Sequence, residues 1–462
     1  MESNMAPSPA RVFAALNEVR PSDDASRVLG KAVVLGGSIA GLLAARVLSD
    51  HAETVVVVDR DEPPTSGPRP GVPQGTQLHA LLPGGCLQLE LLFPGFRDEA
   101  LAQGAIASPP ESRRNYLDGR LKVVVPDDAD TLVGTRPLLE AVIRRRVLQL
   151  PNVKTLTARA TGLVFEGDVV TGVRCDVGGL SGVESADLLV DAMGRSSRLS
   201  EWLEQAGWDR PPMRRMTVDL NYATAMFRRH EVQPDPALVL ALHSPGTSSD
   251  VAGAAFFAVE DGRWMAMMAG YAANRPGRTA EDFVRRLREQ FPPEFGALAD
   301  NELIGDVQTY RHADSRRRDY HALTRFPAGL VSVGDAVASF NPVYGQGITA
   351  AAMHAACLTS YLRSGPDLRL PAREFFDLQK VVVDAAWSIS TSADLALPHV
   401  DGPYPRGHRF SRWVGNEIVR ATVTDVATAR VFNQVVSMRS HPDALARPGV
   451  ILRALRANRR SR

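Results

Sequence analysis

Residues 33–48 read VVLGGSIAGLLAARVL. Residues 31–35, KAVVL, are an apolar run of the kind that fills a central parallel strand. From Ile39 onward apolar residues recur at helical spacing. Between the two, Gly36, Ser38 and Gly41 occupy the three key positions of G-x-G-x-x-G, with serine in the middle one. A second apolar run, ETVVVVD, ends in Asp59, 23 residues after Gly36. That spacing suits a carboxylate that hydrogen-bonds a ribose hydroxyl. Tight turn, helix N-terminal amides and acid together predict a dinucleotide site.

Around this motif the chain has the composition of an ordinary globular protein. Its 462 residues are enough for two or three domains, with 44% hydrophobic and 23% charged residues. A formal net charge of +1 provides no global field selecting nucleic acid or an anionic membrane. The only lysines are Lys31, Lys122, Lys154 and Lys380. With so much Ala, Gly and Pro, this arginine excess reads as the bias of a GC-rich bacterial genome, and most arginines as solvated surface. Cys86, Cys175 and Cys357 lie far apart without a CxxC, so neither a metal site nor a disulfide framework is expected, and a reducing cytoplasm fits. Residues 1–26 carry scattered charge and no apolar core, and are expected to form a flexible arm rather than a signal peptide. No run of about 18 apolar residues predicts a membrane span.

Two later segments repeat the strand-then-glycine pattern. Residues 186–199, ADLLVDAMGRSSRL, turn at Gly194. Residues 329–355, GLVSVGDAVASFNPVYGQGITAAAMHA, pass through Gly334-Asp335 and Pro342 before Gly345-Gln346-Gly347 opens an alanine-rich helix. In order and spacing these motifs resemble the class A flavoprotein monooxygenases, the para-hydroxybenzoate-hydroxylase-like superfamily, over roughly residues 30–360. A narrower pattern, DRD, GVPQG, HALL, LFPG and GA between residues 54 and 105, resembles a bacterial subgroup that includes flavin epoxidases of polyether and polyketide pathways.

The resemblance implies an α/β fold: a glutathione-reductase-type, Rossmann-like FAD-binding domain, an antiparallel substrate-domain sheet and a C-terminal helical region. The implied division is FAD-binding at 27–105, 131–210 and 311–365, substrate domain at 106–130 (a hairpin) and 211–310, and helices over 366–462. It implies FAD as cofactor and NADPH or NADH as reductant. Carried over by position, Gly36, Ser38 and Gly41 hold the pyrophosphate turn. Asp59, with Arg60 beside it, meets the adenosine ribose, and Arg136 approaches flavin and pyrophosphate. Gly194 belongs to the second motif, Gly334 and Asp335 meet the ribityl chain, and Pro342, Gly345, Gln346 and Gly347 pack on the ring. Met193, where the family has aspartate, and Ala338, where many members have histidine, depart from the pattern.

The implied activity is oxygen transfer to a hydrophobic natural-product intermediate through a flavin C4a-hydroperoxide, by epoxidation or hydroxylation, a polyketide or isoprenoid alkene being favoured. An aromatic hydroxylase and a geranylgeranyl-reductase-like enzyme are alternatives, and a halogenase is disfavoured by the lack of a WxW pair. No catalytic side chain is required beyond the flavin, although His79 and Tyr344 are candidates. An alkene needs no base, a phenol usually does, and no His/Asp pair for that task is apparent. Tyr222, Phe257 and Met265 are candidate substrate contacts in a block, 213–270, that alternates like antiparallel strands. The basic end, RALRANRRSR, reads as a solvated helix end.

Overall fold

The parallel strands implied by the glycine turn form the centre of the molecule. A computed structural model describes residues 7–21, 27–62, 67, 69, 71–230, 236–244 and 252–460. Its five-stranded sheet is parallel throughout, in the order Leu330–Ser332, Leu188–Asp191, Leu29–Leu35, Ala52–Asp59, Val153–Thr157. Ala32–Leu35 and Val55–Val58 are buried, as a strand covered on both faces requires. Helices Ile39–His51, Arg136–Leu148 and Gly347–Arg363 contribute to this core. So do Leu163, Val170 and Val173 of a three-stranded antiparallel sheet.

The second architectural unit is an eight-stranded sheet, ordered Ala338–Ser339, Leu303–Arg318, Met213–Arg228, Arg263–Tyr271, Gly253–Val259, Leu238–Leu242, Arg113–Leu117, Arg120–Leu121. Its pairs are antiparallel except Leu238–Leu242 with Arg113–Leu117. The turn between Gly253–Val259 and Arg263–Tyr271 places Asp261 at φ 60° and Gly262 at φ 62°, the left-handed pair that an Asp-Gly hairpin needs. Alternation along the strands sorts the side chains. Phe227, Phe256, Trp264 and Met268 pack against helices Ala280–Gln290 and Pro293–Ala299, while Tyr222, Phe257 and Met267 face the opposite way, toward the parallel sheet.

Two expectations need correction. Within the expected N-terminal arm, Pro9–Leu16 is a helix whose Phe13 and Leu16 are buried in the main core. Ser8 caps it through Arg11 N and Pro9 starts it, so its apolar spacing was enough for a docked helix. Residues 1–6 and 22–26 lie outside the described residues. The C-terminal region is helical, at Arg373–Asp394, His408–Ala421, Val426–Val436 and Pro448–Arg460. However, the expected helical region 366–462 is not continuous through 411–438: it is broken at Thr422–Asp425. There Asp425 accepts a hydrogen bond from Thr428 N at 2.7 Å and begins a new helix. Among the described residues, no helix is long and apolar enough to cross a membrane.

Candidate functional site

A cavity of about 1870 Å³ runs from the carboxyl ends of the parallel strands to the inner face of the eight-stranded sheet, where open α/β sheets bind ligands. At one end of it the glycine turn is enforced by crowding. A Cβ on Gly36 (φ +102°) would lie 2.4 Å from Ala192 O, and one on Gly41 would lie 1.8 Å from Gly36 O. Gly41 therefore sets helix against turn and does not itself line the cavity. Ser38 does not cap the helix with its side chain, which leaves the first amides available to an anion. Its hydroxyl instead donates to Glu140 Oε2 at 3.0 Å and accepts from Arg136 Nη2 at 2.9 Å.

Glu140 and Arg69 were not anticipated. Arg69 spans the turn, donating to Asp59 Oδ2 (2.6 Å), Gly37 O (3.0 Å) and Glu140 Oε1 (3.1 Å). Asp59 also accepts from Gly37 N at 2.6 Å and Asp61 N at 3.0 Å. The predicted ribose acid thus first stabilises the turn and shows its remaining lone pairs to the cavity. Arg60 is mostly exposed at the rim.

The second and third motifs are joined by Asp191. Its wholly buried carboxylate accepts from Ser197 Oγ (2.6 Å), Ser332 Oγ (3.2 Å) and Met193 N (3.0 Å), and burial raises its pKa. Arg195, beside Gly194, is spent on Asp314 and Ser339. Around the middle of the cavity several buried groups lack partners among the described residues: Arg136 Nη1 and both side-chain polar atoms of Gln346, which is 1% exposed. Asp335 lines the same wall, and no hydrogen bond to its carboxylate is found among the described residues. Burial raises its pKa, while Arg195 and Arg136 oppose the shift. A native fold rarely leaves such a set unsatisfied without a ligand. The helix Gly347–Arg363 points its N-terminus here. Its cap, Gln346, provides no side-chain hydrogen bond, and nothing lies within 4 Å of a Cβ on Gly347. His354, within that helix, accepts from Gly334 N at 2.9 Å and ties it to the Gly-Asp loop.

The far end is apolar, with one polar cluster. Tyr344 OH donates to Asp394 Oδ1 at 3.0 Å, Asn341 Nδ2 to the same oxygen at 2.7 Å, and Tyr271 OH lies 3.1 Å from Asn341 Nδ2. Burial, only partly offset by these donors, pushes the Asp394 carboxyl up to about 6. The hydroxyl of buried Tyr222 has no partner among the described residues. Lys122, its ammonium 4.9 Å from the Phe432 ring centroid, is drawn down to about 8 by burial. His79 lines the cavity in an extended segment before helix Pro83–Leu92. Its Nδ1 sits 2.8 Å from Gln77 O, and burial followed by Arg136 lowers it to about 4, so it is neutral near pH 7.

Gly36, Ser38, Asp59, Arg60, Arg136, Gly194, Gly334, Asp335, Pro342, Gly345, Gln346 and Gly347 therefore lie on one cavity, together with His79, Tyr344, Tyr222 and Phe257. Met265 does not. It is on the cavity-facing side of its strand but packs beyond the cavity's end with Val133, Leu238 and Phe257, and Met267, two residues on, lines the wall instead.

Protein Rv3254 of Mycobacterium tuberculosis is 34% identical to the chain over 421 residues, 87% of this chain and 88% of that protein. The chain belongs to the Rv3254 family. No protein-family model matches it. The fold of this family member is that of the flavin-dependent monooxygenases. The flavin-dependent brominase Bmp2 superposes with a TM-score of 0.64 at 14% identity, covering 93% of this chain and 99% of that one. The p-nitrophenol 4-monooxygenase PnpA of Pseudomonas putida gives 0.61 at 17%, covering 88% and 98%.

Proposed function

We propose that this Rv3254-family chain is a cytoplasmic, FAD-dependent monooxygenase that takes electrons from NADPH or NADH and transfers one oxygen atom from O2 to a hydrophobic natural-product intermediate. Epoxidation of a polyketide or isoprenoid alkene is the preferred chemistry. The observation that carries the reading is the pair of unpartnered buried groups, Arg136 Nη1 and the Gln346 amide, with the half-buried Asp335 carboxylate on the same wall, between two helix N-termini without side-chain caps on one cavity. These residues fit FAD. The amides after Ser38 and the Arg136 guanidinium suit a pyrophosphate. Asp59 suits a ribose, Asp335 a ribityl hydroxyl, and the open wall at Pro342 and Gly345–Gly347 a flat ring. The N-terminus of Gly347–Arg363 offers partial positive charge to the anionic edge of a reduced flavin.

Bound and reduced, FAD supplies the activation of O2; the chain supplies placement and dryness. Leu240, Phe257, Met267 and Ile389 line the wall and exclude water. Arg136 holds charge, and neutral His79 can offer or accept one hydrogen bond without adding a charge.

A second reading, hydroxylation of a phenol, has its own support. The Asp394–Tyr344 pair can accept a proton from a substrate hydroxyl: Tyr344 OH receives it while passing its own to Asp394 Oδ1. That is the base absent from the sequence reading. Purified protein should bind FAD and turn yellow, bleach anaerobically with NADPH, and place oxygen-18 from O2 in product when polyenes and phenols are compared. Protein that stays colourless at saturating FAD, with no thermal shift, refutes the proposal. Alkene saturation without oxygen uptake would select a reductase.

A further inference from the structure

The total charge of +1 conceals an asymmetry. Residues 404–460 hold eleven arginines against Glu417, Asp425 and Asp443, a net +8. Within them, residues 404–413, YPRGHRFSRW, have no acid at all. Here three aromatic side chains stand in solvent: Tyr404 is 57% exposed, Phe410 67% and Trp413 46%. Arg406, Arg409 and Arg412 between them are exposed, and none makes an ion pair among the described residues. The helix His408–Ala421 already buries its other face, Val414, Ile418 and Ala421, against Ala454 of the last helix, and Phe410 and Trp413, ring centroids 5.9 Å apart, take no part in that contact, while Tyr404 OH donates to Val400 O at 3.1 Å.

Their position gives them a meaning. Trp413 lines the cavity as well as facing solvent, and so do two other exposed apolar residues, Val124 and Leu242. Val123 N donates to Val423 O at 3.2 Å, which joins the hairpin side of the rim to the helical side. The mouth is thus edged with apolar groups and flanked by unpaired arginines. Tyrosine and tryptophan favour the boundary between headgroup and acyl chain, and arginines beside them favour an anionic surface.

We propose that residues 404–413, with the rim at Val124 and Leu242, dock on an anionic lipid bilayer, and that the hydrophobic substrate enters the cavity from its acyl phase. The second clause rests on the substrate reading above; the docking does not. Charge complementarity chooses the lipid surface over a second copy of the chain, whose same patch would carry the same unpaired arginines.

The test uses the full-length protein and needs no turnover. In sedimentation, it should bind phosphatidylcholine vesicles containing about 30% phosphatidylglycerol at low salt, bind pure phosphatidylcholine far less, and release at high salt as screening sets in. The triple variant Arg406→Gln, Arg409→Gln, Arg412→Gln should partition roughly 100-fold more weakly, and Phe410→Ser should also release it, both with thermal unfolding unchanged. Brominated lipid should quench fluorescence that Trp413→Phe removes. Absence of binding to anionic vesicles, or binding indifferent to charge and to these variants, overturns the proposal. So does a dimer in light scattering that Phe410→Ser dissolves while vesicles go unbound. If docking holds but FAD does not bind, the surface stands and the assigned chemistry falls.

Discussion

Gly41 and Gly347 both belong to the motifs proposed to hold FAD, yet they should fail in opposite ways. A methyl on Gly41 would collide with the backbone of Gly36. Gly41→Ala is expected to destabilise the protein by about 1–3 kcal/mol and to abolish FAD retention. A methyl on Gly347 meets only open cavity, so Gly347→Ala should leave the FAD-free melting temperature within about 0.5 kcal/mol of wild type while weakening FAD in a fluorescence titration. Equal effects of the two on stability would count against the assigned ring position. Asp394 makes a different prediction. Its carboxyl titrates near 6 when folded, against an ordinary 3.8, so the native state holds this proton more tightly than the unfolded chain. Its contribution to stability is complete below about pH 4 and disappears as pH rises through 6, by roughly 3 kcal/mol at most. Denaturant unfolding between those pH values should show this decline, and Asp394→Asn should flatten it. The tyrosines, Asn341, Ser390 and His399 around it make the rest of its surroundings. Residues of this kind were invisible in the sequence. Asn341 and Asp394 are 53 positions apart, and Arg69 reaches a turn 32 positions away. Their roles arise only when distant segments meet. Gly36, Gly194 and Gly334 take positive φ at local turns, and turns of that kind leave a short-range mark in the sequence.

At the scale of elements, helix caps decide where the cavity's roof is jointed. Asp425 starts the helix Val426–Val436, and Asn433 Nδ2 of that helix donates to Asp128 Oδ2 at 2.8 Å while Phe432 and Val436 line the cavity. Asp425→Ala should cost about 1 kcal/mol, measured by denaturant midpoint. Arg430, whose pairing with Asp127 is exposed, should contribute little when changed to Ala. Apolar periodicity continues across the break at Thr422–Asp425, and the capping signal at Asp425 competes with that pattern only in three dimensions. Phe257 and Met265 pair on neighbouring strands, but only Phe257 lines the cavity.

For the whole molecule, the N-terminal helix is part of the main core. Phe13 is 1% exposed and lies edge-on to His441, ring centroids 5.6 Å apart, so the two ends of the described chain meet. Phe13→Ala should cost about 3–5 kcal/mol in global unfolding, and a variant at wild-type stability would show that the helix is not docked in solution. Asp191 has a consequence of another kind. Because one enclosed carboxylate gathers Ser197, Ser332 and the Met193 amide, the three positions form a single inheritance. A relative that drops the acid should have traded away both hydroxyls too, and a lineage keeping only some of the set should carry a compensating change within the same few ångströms.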